Sequence, residues 1–427
     1  MPPERLRIFI GMAEIAGHAT GLQQGFADIG VEALSVDLGS NPFGYASNRA
    51  APPVVRLALK AAWNKRAAAG AGRLLWLLAE ALGRVLLLAW AIVQYDAFIF
   101  NANTSFLYHF WDLPLLRLFG KRIVCVRHGS DSRPVYLNGA YMVGPSALTV
   151  EQCIRRNRLH RQLVRRIERY ASAIIALPTI SHFHQRKLVN FTCAGLARDY
   201  QAEAAPADAS PGAAVRILHS PSKPDSKGTY PIREAVARLQ AKGCPIVFTE
   251  ITGRPNHEVR AALATCDFTV DQLYSDALMS SSMTEAARMG KPSLAGSYGL
   301  DVLRQGLPEP LTPPQVICHP DQLEAAIEKL VTDAEYRREV GRKAAEFTQA
   351  VWSPAQIAER YLRIIRGDIP DAWMYNPADV FYPYGYGMPE AQTKAMVRAV
   401  IAAGGRAALA LDHRPALEQM LVDWAHA

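Results

Sequence analysis

Val215-Arg-Ile-Leu-His-Ser-Pro-Ser-Lys-Pro-Asp-Ser-Lys-Gly-Thr229 runs from a short apolar segment through a polar loop into an amphipathic stretch that ends at Ala241. The spacing predicts a strand over 215–218 and a helix over 229–241, with Thr229 as its cap. The same unit recurs downstream: strands over 246–249, 268–271 and 293–295, and helices near 257, over 281–289 and over 321–350. It also recurs upstream: strands over 7–11, 31–36, 97–101, 122–127 and 173–177, and helices over 21–29, 113–118 and 151–171. Strands alternating with helices imply a parallel sheet covered on both faces. Between the two runs lies 201–214, made of small residues with two prolines and no large apolar group, a linker composition. The expected class is therefore α/β, with two doubly wound Rossmann-like domains facing across a cleft: 1–200, the linker 201–214, and 215–370. A tail, 371–427, starts with aromatic residues among Gly and Pro and continues into two predicted helices, 389–402 and 414–425. Its expected place is across the domain interface. Ligands of such folds bind outside the carboxyl ends of the strands.

A chain of 427 residues exceeds what one core usually serves, which agrees with two domains. Half the residues are hydrophobic and a fifth are charged, a globular composition. The net charge of +8 suits an anionic partner. No zinc-finger spacing or RNA-binding aromatic signature is present, so nucleic acid ranks last. The six cysteines form no C-x-x-C pair, which argues against a metal site and a disulfide framework and for a reducing compartment. The lead before the first strand is too short for a signal peptide. Residues 74–93 are strongly apolar, but Glu80 and Arg84 interrupt them. Two central charges disfavour a spanning helix. A helix buried under the first sheet is the favoured reading. A helix dipping into one leaflet, helped by Lys60, Lys65, Arg66 and Arg73, is the second.

Four loops carry candidate chemistry. Gly11–Gly21 contains Glu14, Gly17 and His18 and reads as a phosphate approach or as a plain tight turn; it lacks G-x-G-x-x-G. Arg127-His-Gly-Ser-Asp-Ser-Arg133 follows a buried strand and offers His128, Asp131 and two arginines. The loop 219–229 offers Ser222, Lys223, Lys227 and Gly228. A lysine with backbone N–H groups at a helix start can hold a leaving diphosphate, although the loop is not a Walker sequence. The fourth, Asp271–Pro292, opens a helix at Ser280, Ser281 and Ser282, with Glu285 one turn in.

Lys227-Gly228 with Glu285-Ala-Ala-Arg-Met-Gly-Lys-Pro292 resembles the second domain of the large retaining GT-B glycosyltransferase family, in its family 4-like form. Asp112–Lys121 followed by His128-Gly-Ser-Asp131 is similar to that family's first-domain segment, and the resemblance spans roughly 6–366. It implies a nucleotide-diphosphate sugar donor, no metal or other cofactor, and transfer to a hydroxyl of a glycan or lipid-linked glycan. By position, Lys227 would neutralise the diphosphate, Glu285 would hold the ribose and Gly17 would approach the phosphates. The donor set is Gly17, Ser222, Lys223, Lys227, Gly228, Ser280, Ser281, Ser282 and Glu285. Candidates for the reaction itself are His128, Asp131 and Lys227. Glu14, His18, Arg127 and Arg133 lie on the acceptor side. The family commonly carries a second acid eight residues before its ribose-binding glutamate; here that position is Ala277, with Asp276 and Asp271 nearby. A nucleotide-sugar epimerase and a non-catalytic binding or scaffold protein are the alternatives. The helix carrying Arg155, Arg156, Arg158, Arg161, Arg165, Arg166 and Arg169 reads as a solvated face or as a dock for an anionic membrane surface. The expected location is the cytoplasm, extending to the cytoplasmic face of the inner membrane.

Overall fold

Six parallel strands, β1 (Arg7–Met12), β2 (Glu32–Asp37), β3 (Ala97–Asn101), β4 (Arg122–Val126), β5 (Ala173–Ala176) and β6 (Leu188–Asn190), form most of the first sheet. Five more, β7 (Val215–His219), β8 (Ile246–Glu250), β9 (Phe268–Val270), β10 (Ser293–Gly296) and β11 (Val316–Cys318), form a second parallel sheet. The last strand, β12 (Met374–Tyr375), returns from the tail and pairs antiparallel with β6. The orders are β12-β6-β5-β4-β3-β1-β2 and β11-β10-β9-β7-β8. The structure is a computed structural model and describes residues 6–39, 52–198 and 213–427. Most of the expected linker lies outside the described residues.

Burial on both faces explains why β1, β3 and β4 read as continuous apolar runs; Ile8, Phe9, Ile10, Phe98, Ile99 and Val124 are all inaccessible. Strand order reverses around β1 and around β7, so each sheet has a switch point beside which its carboxyl-end loops open. The two doubly wound domains expected of a GT-B chain are both present, and their loops meet across a cleft.

The helices that position the site or cover the sheets are α1 (His18–Asp28), α2 (Pro53–Ala67), α3 (Gly70–Gln94), α4 (Leu113–Leu118), α5 (Val150–Tyr170), α6 (Thr229–Ala241), α7 (Ser281–Arg288), α8 (Pro354–Arg366), α9 (Glu390–Gly404) and α10 (Pro415–His426). Helix α8 lies in the stretch assigned to the second domain, yet it packs on α1 and β4 of the first. Its apolar face, Ile357, Ala358, Tyr361, Ile364 and Ile365, is buried in the first domain's core. A Cβ on Gly25 would lie 2.0 Å from the Pro354 carbonyl oxygen, so a glycine is needed for this crossing.

Helix α3 corrects an expectation. It is not buried under the sheet: α2 and the sheet cover only the face with Glu80, Gly83, Leu87, Leu88 and Ala91. Leu74, Leu78, Leu82 and Val93 face outward with no described residue over them. Apolar content records how greasy a helix is, not how many of its faces find neighbours.

Helices α9 and α10 form a separate core with Val135, Tyr136 and Leu137 and with Cys153 and Val164 of α5. On this side Asn157 donates to the Ala408 and Leu409 carbonyls at 3.2 and 3.1 Å. The tail also touches the second domain, where the Gly387 N–H donates to the Tyr274 carbonyl at 2.9 Å.

Candidate active site

The loop after β1 delivers backbone rather than side chains. Glu14 accepts from the backbone N–H of Ala19 and Thr20 at 3.2 and 2.9 Å and from the Thr20 hydroxyl at 2.7 Å, closing the start of α1. Gly17 caps that helix with φ at 81°, a left-handed conformation. His18 is fully buried: its Nδ1 accepts from the Ala197 N–H at 3.1 Å, so Nε2 carries the proton facing the Tyr361 hydroxyl at 3.0 Å. Burial and nearby His128 hold its pKa down to about 3. Glu14 and His18, expected on the acceptor side, are thus corrected to structural ties.

The loop after β4 divides its charges. Arg127 is inaccessible and donates to the Ala102 carbonyl and to Asn103 Oδ1, both at 2.7 Å. Asp131 pairs with it at 3.4 Å and accepts from the His128 and Gly129 N–H groups at 3.0 and 2.8 Å. Burial pushes the Asp131 carboxyl up, but Arg127 and these donors carry it below its ordinary range. Asp131 therefore holds the loop in shape and does not line the cavity. His128 does line it. Asn101 Nδ2 donates to the Ala13 carbonyl at 3.4 Å, which turns Oδ1 toward His128 Nε2 at 3.1 Å. Nε2 then carries the proton and Nδ1 keeps a lone pair. Burial lowers the His128 pKa to about 4, so the ring is neutral near pH 7. Arg133 donates from Nε to Asp276 Oδ2 at 2.8 Å and lies 4.4 Å from the Tyr386 ring centre. That pair ties the two domains.

In the second domain, His219 bonds Val270 O at 2.7 Å and the Thr229 hydroxyl at 2.9 Å. Thr229 is thereby taken from its expected capping role, and Gly228, with φ at 71°, starts α6. Ser222 and Lys223 are exposed outside the cavity, and Lys223 reaches the Ala140 carbonyl at 3.2 Å instead. Lys227 faces the cavity, donating to Gln272 Oε1 at 2.6 Å with Asp271 3.8 Å away. Burial acts to lower its pKa, but Asp271, Tyr386 and Asp276 together outweigh that and raise it, so the ammonium stays charged.

Ser280 caps α7, accepting from the Met283 N–H at 3.2 Å. Ser280 and Ser281 line the cavity, whereas Ser282 points away and donates to Asp271 Oδ1 at 2.5 Å. Glu285 is buried, ion-paired with Arg198 and accepting from Asn256 Nδ2 at 3.1 Å. It lies beneath the cavity, not on its wall.

One cavity of about 200 Å³ thus gathers Arg127, His128, Arg133, Lys227, Ser280 and Ser281 from the expected set. It excludes Glu14, Gly17, His18, Asp131, Ser222, Lys223, Gly228, Ser282 and Glu285. It adds Gln272, Asp276, Thr192 and Tyr386. Tyr386 comes from the tail, where a cluster of aromatics among glycines was its only signal. Arg198, which also holds the Ser281 carbonyl at 2.9 Å, has no sequence signal at all.

No protein-family model matches the chain, and no curated protein sequence matches it. Among solved structures it is similar to Anabaena HepE in complex with UDP and glucose, at 13% identity and a TM-score of 0.45, covering 85% of this chain and 100% of that one. It is also similar to sucrose-phosphate synthase from Thermosynechococcus elongatus, at 13% identity and a TM-score of 0.48, covering 85% and 99%. A third is the S. aureus MnaA–UDP co-structure, at 13% identity and a TM-score of 0.41, covering 84% and 96%.

Chemically, the cavity sets a charged lysine and the free N–H groups at the start of α7 on one side. A neutral histidine and an arginine–aspartate pair face them. This can hold an anion against the second domain and a hydroxyl against the first. Among the described residues, no three His, Cys, Asp or Glu side chains are placed to hold a metal ion.

Proposed function

We propose that this protein transfers a sugar from a nucleotide-diphosphate donor to a hydroxyl of a glycan or lipid-linked glycan, with retention and without a metal. One observation carries the reading: Lys227 and the amino end of α7 face His128 across a single cavity where the carboxyl ends of both sheets meet. In this reading Lys227 and the N–H groups behind Ser280 and Ser281 hold the diphosphate. As the bond from the anomeric carbon to the diphosphate oxygen breaks, its electron pair leaves with the nucleotide. The acceptor oxygen bonds to that carbon, and its proton passes to the departing phosphate. His128 Nδ1 accepts a hydrogen bond from a sugar or acceptor hydroxyl; it is a neutral positioning group. Glu285 binds the ribose by exchanging Arg198 for the two hydroxyls. The cavity is smaller than the roughly 300–1,000 Å³ usual for such ligands. Donor entry therefore parts the Arg133–Asp276 and Arg198–Glu285 pairs that cross the cleft. We assign the reaction to the cytoplasm, where the six unpaired cysteines would stay reduced.

Ala277, standing where the resembled family has an acid, favours a second reading as a binding module. Nucleotide diphosphate release from a panel of nucleotide sugars, with and without glycan acceptors, separates the readings. Release that depends on acceptor supports transfer. Sugar rearrangement without acceptor supports the epimerase. Nucleotide binding with no turnover under any condition supports the module.

A further inference from the structure

Helix α3 carries a stripe at helical spacing, Leu74, Leu78, Leu82, Val85, Leu86 and Val93, on its solvent side, each between 44% and 70% exposed. A helix of a water-soluble domain turns such a stripe toward the core. Leu57 and Trp63 of α2 add to it, both more than half exposed. Beside it Tyr108, Trp111, Leu118 and Phe119, around α4, are exposed as well. The two groups share an edge: Arg84 of α3 lies 4.9 Å from the Tyr108 ring centre, and the Tyr108 hydroxyl reaches Glu80 at 3.4 Å. Tyr108 also borders a groove whose far wall is Arg155, Arg156 and Leu159 of α5. An apolar surface of this extent marks an interaction site.

The charge around it selects the partner. Residues 53–94 contain Arg56, Lys60, Lys65, Arg66, Arg73 and Arg84 against a single acid, Glu80. Glu80 is buried and paired with both Lys65 and Arg84. Asp112 beside α4 is buried too, accepting from the Ser105 hydroxyl at 2.6 Å. The α2–α3 hairpin therefore carries exposed bases and no exposed acid of its own. A second copy would set these bases against each other. An anionic bilayer meets both features at once, with acyl chains for the leucines and headgroups for the bases. The helix lies along the surface and does not cross it. Leu87, Leu88 and Ala91 are held in the domain core, and Gly83 packs so closely on α2 that an added Cβ would lie 3.2 Å from the Ala58 Cα.

We propose that the α2–α3 hairpin, with α4 beside it, docks this protein on an anionic lipid bilayer, the outer face of α3 lying at the boundary of headgroups and acyl chains. The arginine helix α5 borders this dock instead of forming it: Arg161 is paired with Asp412, and Arg166 lies 3.9 Å from the Trp111 ring centre. The dock stands independently of the transferase reading, because no nucleotide is needed for it.

The test is flotation of the full chain with phosphatidylcholine vesicles, with and without phosphatidylglycerol, at low and high salt. The expected result is capture on the anionic vesicles, weaker capture on neutral ones and release by salt. Leu78→Ser with Leu82→Ser should weaken capture roughly tenfold per leucine, and Lys60→Glu with Arg73→Glu roughly fivefold per base. All four side chains are outside the core, so unchanged melting curves certify the fold. Two results overturn the proposal: equal capture of wild type and leucine variants, or no capture of the wild type on any vesicle. No capture together with a wild-type dimer that the leucine variants dissolve would assign the face to a copy of this chain.

Discussion

Arg133 and Asp276 form an ion pair that is buried on both sides and joins two domains. Removing either partner leaves a charge without its counterion in a dry place. Asp276→Ala or Arg133→Ala should each cost about 3–5 kcal/mol, read as a lower denaturant midpoint. An Arg133→Met, Asp276→Leu double change should cost less than either. Buried histidines set a pH dependence. Burial holds His18 and His182 down to about 3, and His128 and His160 down to about 4, from an ordinary 6.5. Above pH 6.5 both folded and unfolded states are neutral at these rings. Below it the unfolded chain takes up protons that the folded chain refuses, so stability falls as pH drops. Each ring contributes at most about 1.4 kcal/mol per pH unit. The melting temperature should therefore decline from pH 7 to pH 5, and His182→Gln should flatten the decline; a level profile would contradict these burials. At this scale the sequence located the loops well. Arg127, His128, Arg133 and Lys227 all line the one cavity, because charged residues after buried strands sit at the sheet ends. Which of them face the cavity was not legible. Glu285 meets Arg198, and Asp131 folds back on its own loop, through contacts that no local pattern announces.

Helix α1 is fixed by what crosses it. Gly25 lies against the Pro354 carbonyl, and any side chain there must push α8 away. Gly25→Val should destabilise the chain by about 3 kcal/mol, seen in thermal melts, whereas Gly30→Ala, with open space around its Cβ, should cost less than Gly25→Val despite its positive φ. Elements buried on both faces were legible as apolar runs, and β3, α4 and α6 match their expected bounds. The short strands β6, β11 and β12 were not, since two or three residues carry no period. The exposure of α3 was not legible because its composition suits a core, and only the fold reveals that one of its faces has no neighbour among the described residues.

The tail binds the molecule together: β12 extends the first sheet, Tyr386 enters the cavity wall, and α9 and α10 close a second core with α5. Deleting 371–427 should expose that core, lower the melting temperature sharply and abolish the proposed nucleotide binding; a truncated protein that melts like the full chain would show the tail to be dispensable. The facing pair of doubly wound domains was legible from strand–helix alternation on both sides of 201–214. The passage of α8 back to the first domain was not, because return crossings leave no local trace. The claim on which the function rests is a diphosphate site at Lys227. Thermal melting of wild type and Lys227→Ala, each with a series of nucleoside diphosphates and nucleotide sugars, addresses it directly. A ligand at a hundred times its dissociation constant should stabilise the wild type by about 2.7 kcal/mol. The account predicts that at least one does so and that Lys227→Ala, folded but charge-deficient, loses most of that gain. A wild type that no nucleotide stabilises, or a variant that gains as much as the wild type, would contradict it.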